Sequence, residues 1–320
     1  MLRHLLAFAV VLSVPAFPAA GQPGQWLRQS REPIELPSGS RVEFSAIPSQ
    51  ALGGTGEFSI FFPPSYGDGD KRYPVVYFLH GLFNDHTSWT LDHEGDIDGL
   101  IDALMAKGTL PEMVLVHPNG GRSFYTNYHD GSLRYEDFVV DELPAYVEAN
   151  YRVLSGRAHR AISGTSMGGY GALKIAMRHP DRYIAVAAHS PIVFPADNPL
   201  EVSGGNGGGR QFQYIREVFA VVYGRPFDQG YFDENNPLKL AARSSLNDLA
   251  IYFDYGTEDR YAEATGLGRG LEKLANELEA RKVTYQFAIH EGEPHGWALV
   301  FAHIPESLAF IARYFVGGGG

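Results

Sequence analysis

The 320-residue sequence contains no cysteine. That absence excludes disulfide staples, thiolate nucleophiles, cysteine-ligated zinc, iron–sulfur clusters and lipid attachment to an N-terminal cysteine. Positive charge is also scarce: 26 Lys and Arg face 37 Asp and Glu, for a formal net charge of −11. A surface of that sign repels phosphate backbones and anionic bilayers, so neither nucleic acid nor an anionic membrane is expected as a main partner. The apolar run from Leu5 to Val14 is too short to span a bilayer core of ~30 Å as a helix, and no second long run follows, so stable membrane insertion is not expected. What the chain does have is 44% hydrophobic and 13% aromatic residues, which rules out low-complexity disorder. A chain of this size buries enough surface to fold without staples.

The N-terminal run has its own logic. Arg3 and His4 precede it, and Pro15, Pro18, Ala19, Ala20 and Gly21 follow it. A short positive region, a short apolar region and a small-residue exit describe a secretory signal peptide over residues 1–21, cleaved before Gln22. The mature protein is then expected to be secreted or periplasmic, where freedom from cysteine avoids stray oxidation.

From residue 22 onward, helix and strand signals alternate. Residues 22–40 read as a polar lead-in arm. Val42 to Ile47 and Phe58 to Phe62 read as strands around a turn at Gly53-Gly54-Thr55-Gly56. The continuous apolar runs Val75 to Leu79 and Val114 to Val116 fit central strands buried on both faces. Further strands are expected at 160–163, 184–188, 249–253 and 283–289. Helical spacing marks Ile97 to Met105, a segment near Phe138 to Val147, Ala172 to Met177, Leu267 to Leu278 and Phe301 to Phe315. This alternation predicts an α/β fold, a mainly parallel central sheet with helices on both faces, as a single domain over 22–320. Residues 195–245 interrupt the pattern with the run Gly204 to Gly209 and read as an insertion over the strand ends, a lid or a plain surface excursion.

In such folds the chemistry sits at the carboxyl ends of the strands. Gly164-Thr165-Ser166-Met167-Gly168 lies between a strand and a helix, the setting in which G-x-S-x-G places a nucleophilic serine on a strained turn. The flanking glycines are required because side chains there would clash in the turn. A serine hydroxyl needs a base, which in this motif's usual order follows near the C-terminus, after an acid. His295, in the stretch Glu291 to Trp297 beyond the last strand, is the expected base, with His290 second. His189 could line the site but comes too early to be the base. Asp259, after the preceding strand, is the expected acid that holds the His tautomer, with Asp254 second. The Met167 N–H and the Leu82 N–H are the expected oxyanion donors, with Phe83 as the alternative to Leu82.

Tyr73-Pro74-Val75-Val76-Tyr77-Phe78-Leu79-His80-Gly81 and Gly164 to Leu173 together resemble the esterase D family. Asp254 to Asp259, Pro294-His295-Gly296-Trp297 and the segment Ser123-Phe124-Tyr125 through Phe138 extend the resemblance over roughly residues 42–315. This family includes S-formylglutathione hydrolases, feruloyl and acetyl-xylan esterases and mycolyltransferases. The resemblance implies the α/β-hydrolase fold, a Ser166–His295–Asp259 triad and a Leu82/Met167 oxyanion hole.

Residues Glu94 to Gly99 loosely imitate a calcium loop, but its twelfth position would be Met105, which cannot ligate calcium. The acidic residues there are expected to cap the helix that starts near Ile97. No metal and no cofactor is expected, and no phosphate loop or dinucleotide fingerprint occurs. The expected function is a serine carboxylesterase acting on a small-molecule or carbohydrate-linked ester. Trp89, Phe83, Tyr125 and Trp297 are candidates to bind an acyl or aryl group. Acyl transfer to a sugar and a catalytically dead polysaccharide-binding fold are the alternatives.

Overall fold

Nine strands form one sheet in the computed structural model, which describes residues 31–91, 96–195, 199, 210–246 and 248–316. The signal-peptide reading, the acidic residues Asp92 and Glu94, and the run Gly204 to Gly209 lie outside the described residues. In chain order the strands are β1 (Ile34–Glu35), β2 (Arg41–Ser49), β3 (Gly54–Phe62), β4 (Val75–Leu79), β5 (Val114–Pro118), β6 (Arg160–Thr165), β7 (Ala185–His189), β8 (Ala250–Glu258) and β9 (Tyr285–Pro294). In space they run β1-β2-β3-β5-β4-β6-β7-β8-β9. The first three and β5 pair antiparallel, and everything from β5 to β9 is parallel. Every residue of β4, β5, β6 and β7 is buried, as the unbroken apolar runs require. Separate hydrophobic clusters cover the two faces. One gathers the Met167–Arg178 and Leu267–Ala280 helices, and the other the Ile97–Ala106 and Trp297–Ala312 helices. This is the α/β-hydrolase architecture that the sequence predicts.

Several boundaries differ from the sequence reading. The lead-in arm contributes a short edge strand, β1. Gly54 to Gly56 are strand rather than turn, because they pair with Ser49, Pro48 and Ile47. The helix expected near Phe138 begins as a π-helical segment, Phe138–Glu142, and Pro144 falls where that segment passes into the Leu143–Asn150 helix. Asp96 caps the Ile97–Ala106 helix, accepting a bond from the Gly99 N–H at 2.8 Å, which is the role expected of these acids. Between β7 and β8 the described residues form three helices, Arg210–Val222, Gln229–Asn235 and Pro237–Arg243.

The largest difference concerns β9. The stretch from Glu291 is not a loop: the strand continues to Pro294 alongside an equally extended β8. The two strands pair as far as Glu258 with Pro294, across a register shift between Gly256 and Glu258. Gly256 is needed for this closeness, since a Cβ there would sit 2.0 Å from the Glu293 carbonyl oxygen.

Candidate active site

Ser166 sits between the end of β6 and the Met167–Arg178 helix with φ 56° and ψ −115°, in a region that non-glycine residues avoid. The neighbouring glycines permit this turn. A Cβ at Gly164 would lie 2.4 Å from the Gly168 oxygen, and one at Gly168 would lie 1.9 Å from the Leu79 oxygen. The strained backbone is held from β7, whose His189 carbonyl accepts the Ser166 N–H at 2.8 Å.

The paired arm of β8 and β9 supplies two more groups. Glu258 and Pro294 are register partners, so the next residues, Asp259 and His295, emerge side by side. Their side chains meet: His295 Nδ1 lies 2.5 Å from Asp259 Oδ2, and His295 Nε2 lies 2.9 Å from Ser166 Oγ. A carboxylate can only accept, so Nδ1 carries the proton and Nε2 is left to accept from the serine hydroxyl. The Tyr261 N–H donates to the other oxygen of Asp259 at 2.8 Å, and the Tyr261 ring meets His295 edge-on at 4.6 Å. Asp259 and the His295 side chain are buried.

Leu82 and Met167 line the same cavity as Ser166 and His295. Met167 opens its helix, so its N–H has no acceptor within the helix. The turn after β4 is closed by the Asn84 N–H donating to Gly81 O at 3.1 Å, which uses neither the Leu82 nor the Phe83 N–H. Buried His80 fixes this turn from below. The Gly120 N–H donates to its Nε2 at 3.0 Å, so its Nδ1 proton goes to Gly81 O at 2.8 Å. Burial lowers the His80 pKa, which keeps the ring in the neutral form that this pair of bonds requires.

The cavity has a volume of about 340 Å³. Phe124, Ile192 and Ile215 give it an apolar wall, with Ile215 coming from the Arg210–Val222 helix. Phe83 stands 56% exposed at the cavity and stacks on Tyr214. Trp297 also lines it, but Trp89 and Tyr125 do not: both are core residues, Trp89 against Phe78 and Trp297, Tyr125 beneath His80. Backbone atoms explain Tyr125, because Gly120 and Gly171 leave room for its ring alone.

The alternative acid and base are elsewhere. Asp254 lies within β8 rather than at its end, fully buried, and accepts from His189 Nδ1 at 2.9 Å, from Tyr252 at 3.1 Å and from His290 Nε2 at 3.3 Å. His189 therefore braces the core instead of lining the site. His290 stacks on His303 with centroids 3.4 Å apart. Burial pushes the Asp254 carboxyl up, but the two imidazoles outweigh it and hold it well below the ordinary carboxylate range. The sequence reading missed another group, Lys174. This fully buried lysine of the nucleophile's helix donates to Tyr125 O at 2.5 Å, Thr126 Oγ1 at 3.1 Å and Glu136 Oε2 at 2.6 Å. It thereby holds the Phe124–Tyr125 turn, both residues at positive φ, with Phe124 at the cavity. A charged residue inside an otherwise apolar helical stripe was the available signal. Among the described residues, no group of three or more His, Asp or Glu side chains is arranged to hold a metal ion, and no helix is long and apolar enough to cross a membrane.

Residues 49–309 match the sequence model of the family described as Esterase. The chain belongs to that family. It is 29% identical over 256 residues to an esterase of Mycobacterium tuberculosis, covering 76% of this chain and 52% of the relative. It is 26% identical over 279 residues to the S-formylglutathione hydrolase of Arabidopsis thaliana, covering 83% and 90% respectively. The chain thus spans about half the length of the mycobacterial relative. Among solved structures, a ferulic acid esterase superposes with a TM-score of 0.69 at 27% identity, over 86% of this chain and 98% of that one. An S-formylglutathione hydrolase from Agrobacterium tumefaciens shares the fold, with a TM-score of 0.69 at 20% identity over 87% and 96%.

Proposed function

We propose that this member of the Esterase family hydrolyses carboxylic esters through an acyl-enzyme on Ser166. The observation that carries the reading is the hydrogen-bonded row Ser166–His295–Asp259 opening into one cavity. His295 Nε2 takes the serine proton as Oγ bonds to the ester carbonyl carbon, and Asp259 stabilises the imidazolium that forms. The carbonyl oxygen, now negative, accepts from the N–H groups of Met167 and Leu82. Collapse of the tetrahedral intermediate breaks the bond to the alcohol oxygen, which takes the proton from His295. Water then repeats the sequence: His295 removes its proton, hydroxide oxygen bonds to the acyl carbon, and the acid leaves as Ser166 recovers its proton. The similarity to esterases and to an S-formylglutathione hydrolase supports ester or thioester chemistry. The acyl group faces the apolar wall of Phe124, Ile192 and Ile215. A small-molecule or carbohydrate-linked ester fits this arrangement.

The test is hydrolysis of p-nitrophenyl acetate together with labelling by a fluorophosphonate. Wild type should turn over the ester and form a covalent adduct, and Ser166→Ala should lose both. Full activity of Ser166→Ala would overturn the mechanism. No adduct and no turnover in wild type would favour a catalytically dead binding fold. We also propose export, on the strength of residues 1–21 alone. Expression in a Gram-negative host should yield a mature chain beginning near Gln22, read by N-terminal sequencing.

A further inference from the structure

We propose that the alcohol portion of the preferred ester carries a negative charge, and that Arg260 selects it. This rests on the esterase reading above. Within that reading, the leaving oxygen must lie within hydrogen-bond reach of His295 Nε2 to be protonated. The alcohol portion therefore leaves past the groups packed around His295, while the apolar wall takes the acyl portion. The Tyr261 ring meets His295 edge-on at 4.6 Å, and the Arg260 guanidinium lies over that same ring, 5.1 Å from its centroid. Arg260 lines the cavity and is exposed to it, and among the lining residues it alone bears a permanent charge.

The surrounding electrostatics make this placement informative. In a chain of net charge −11, a guanidinium at the mouth of the candidate site runs against the prevailing sign. Its neighbour Asp259 is turned the other way, toward His295 and the Tyr261 N–H. The Arg260 guanidinium has the Tyr261 ring face as its contact. A guanidinium held over a ring face keeps N–H donors for a further partner, and its planar fork suits a carboxylate or a phosphate. The chemical class is thus an ester of an anionic alcohol, such as one bearing a carboxylate, uronate or phosphate. A neutral or cationic alcohol gains nothing from this group.

The experiment compares kcat/KM for 4-acetoxybenzoate and 4-acetoxybenzamide, which share an acyl group and differ in the charge of the alcohol portion. Monophenyl adipate against phenyl acetate places the charge on the acyl side instead. Because intrinsic reactivity cancels, the readout is how the anionic-to-neutral ratio changes with mutation. Arg260→Gln should lower the 4-acetoxybenzoate ratio by roughly fivefold at low ionic strength, the scale of one solvent-accessible ion pair. Arg260→Glu should lower it further, Arg260→Lys should retain most of it, and added salt should erode it in wild type. The adipate ratio should not follow these substitutions. An unchanged benzoate ratio in Arg260→Gln, an equal loss on both substrates, or a shift confined to the adipate pair would each overturn the assignment. Failure of wild type to hydrolyse any of the four esters would instead overturn the esterase reading, and this inference with it.

Discussion

At Ser166 a strained backbone is the condition for reactivity: φ 56° and ψ −115° lift the hydroxyl toward the cavity. The cost is met by close packing that only glycine allows. Gly168→Ala would force a Cβ against the Leu79 carbonyl, 1.9 Å away, where backbone cannot yield. We expect this variant to lose about 3 kcal/mol or more of stability, as an overpacked core does, measured by urea unfolding, and to lose ester hydrolysis with it. Asp259→Asn tests a different residue-scale point. It preserves shape but offers an N–H to His295 Nδ1, which favours the wrong tautomer at Nε2. Serine-protease triads lose ~10⁴ in kcat from this change, and a drop of that order with KM little altered is expected here. The nucleophile, its glycines and the expected base were legible because G-x-S-x-G, the order of residues and the strand–helix alternation are local signals. Between Asp254 and Asp259 the sequence left two choices, since both follow the same apolar run. The hydrogen bonds separate them: Asp259 reaches His295, while Asp254 is committed to His189 and His290.

Among the elements, the Met167–Arg178 helix does two jobs. Its first turn presents an N–H to the cavity, and its Lys174 ties it to the Phe124–Tyr125 loop. Lys174 is buried and its pKa is pulled down by that burial to about 8, with Glu136 opposing the shift. Lys174→Met would leave Glu136 buried without its nearest cation, a loss expected to cost about 3–5 kcal/mol. The double variant Lys174→Met, Glu136→Leu should recover a large part of that loss in the same unfolding assay. The remaining partners of Glu136, Arg178 and His179, are partly exposed and tolerate its removal. The charged position in an apolar stripe was the one local hint; its partners were not legible, because Tyr125, Thr126 and Glu136 lie about 40 to 50 residues away in the chain. The extension of β8 and β9 was equally hidden. Glu291-Gly292-Glu293 looks like a polar loop, yet it lies within β9 at the register shift between the pairs Gly256–His290 and Glu258–Pro294, and that pairing rather than loop freedom sets His295 beside Asp259.

Across the whole molecule, two buried carboxylates make stability depend on pH. Glu136 and Asp254 are both held below their ordinary range: burial pushes them up, and Lys174 with His179 and Arg178 in one case, and His189 with His290 in the other, together more than compensate. In the folded state they stay ionised where the unfolded chain, titrating near ~4, takes up protons. The unfolded state then binds more protons, so their contribution is complete above about pH 5 and is lost as pH falls toward the folded values. Thermal unfolding between pH 7 and pH 3 should show a falling midpoint. In the Lys174→Met, Glu136→Leu variant the fall should be shallower. His290 acts in the opposite sense: its bond to Asp254 raises its pKa, so that bond stabilises the fold below about 6.5 and weakens as pH rises through the folded value.

The sequence by itself determined the layers and the edge at which the chemistry gathers. Buried runs such as Val75 to Leu79 and amphipathic spacing such as Leu267 to Leu278 encode exposure residue by residue, and a parallel sheet directs its loops to one end. Tertiary structure alone decided which acid meets which histidine, which aromatics face the cavity and which cation is buried. Those outcomes depend on register between β8 and β9, on the Arg210–Val222 helix bringing Ile215 to the site, and on long-range enclosure of Lys174. Each is a relation between segments far apart in the chain, and no local periodicity records it.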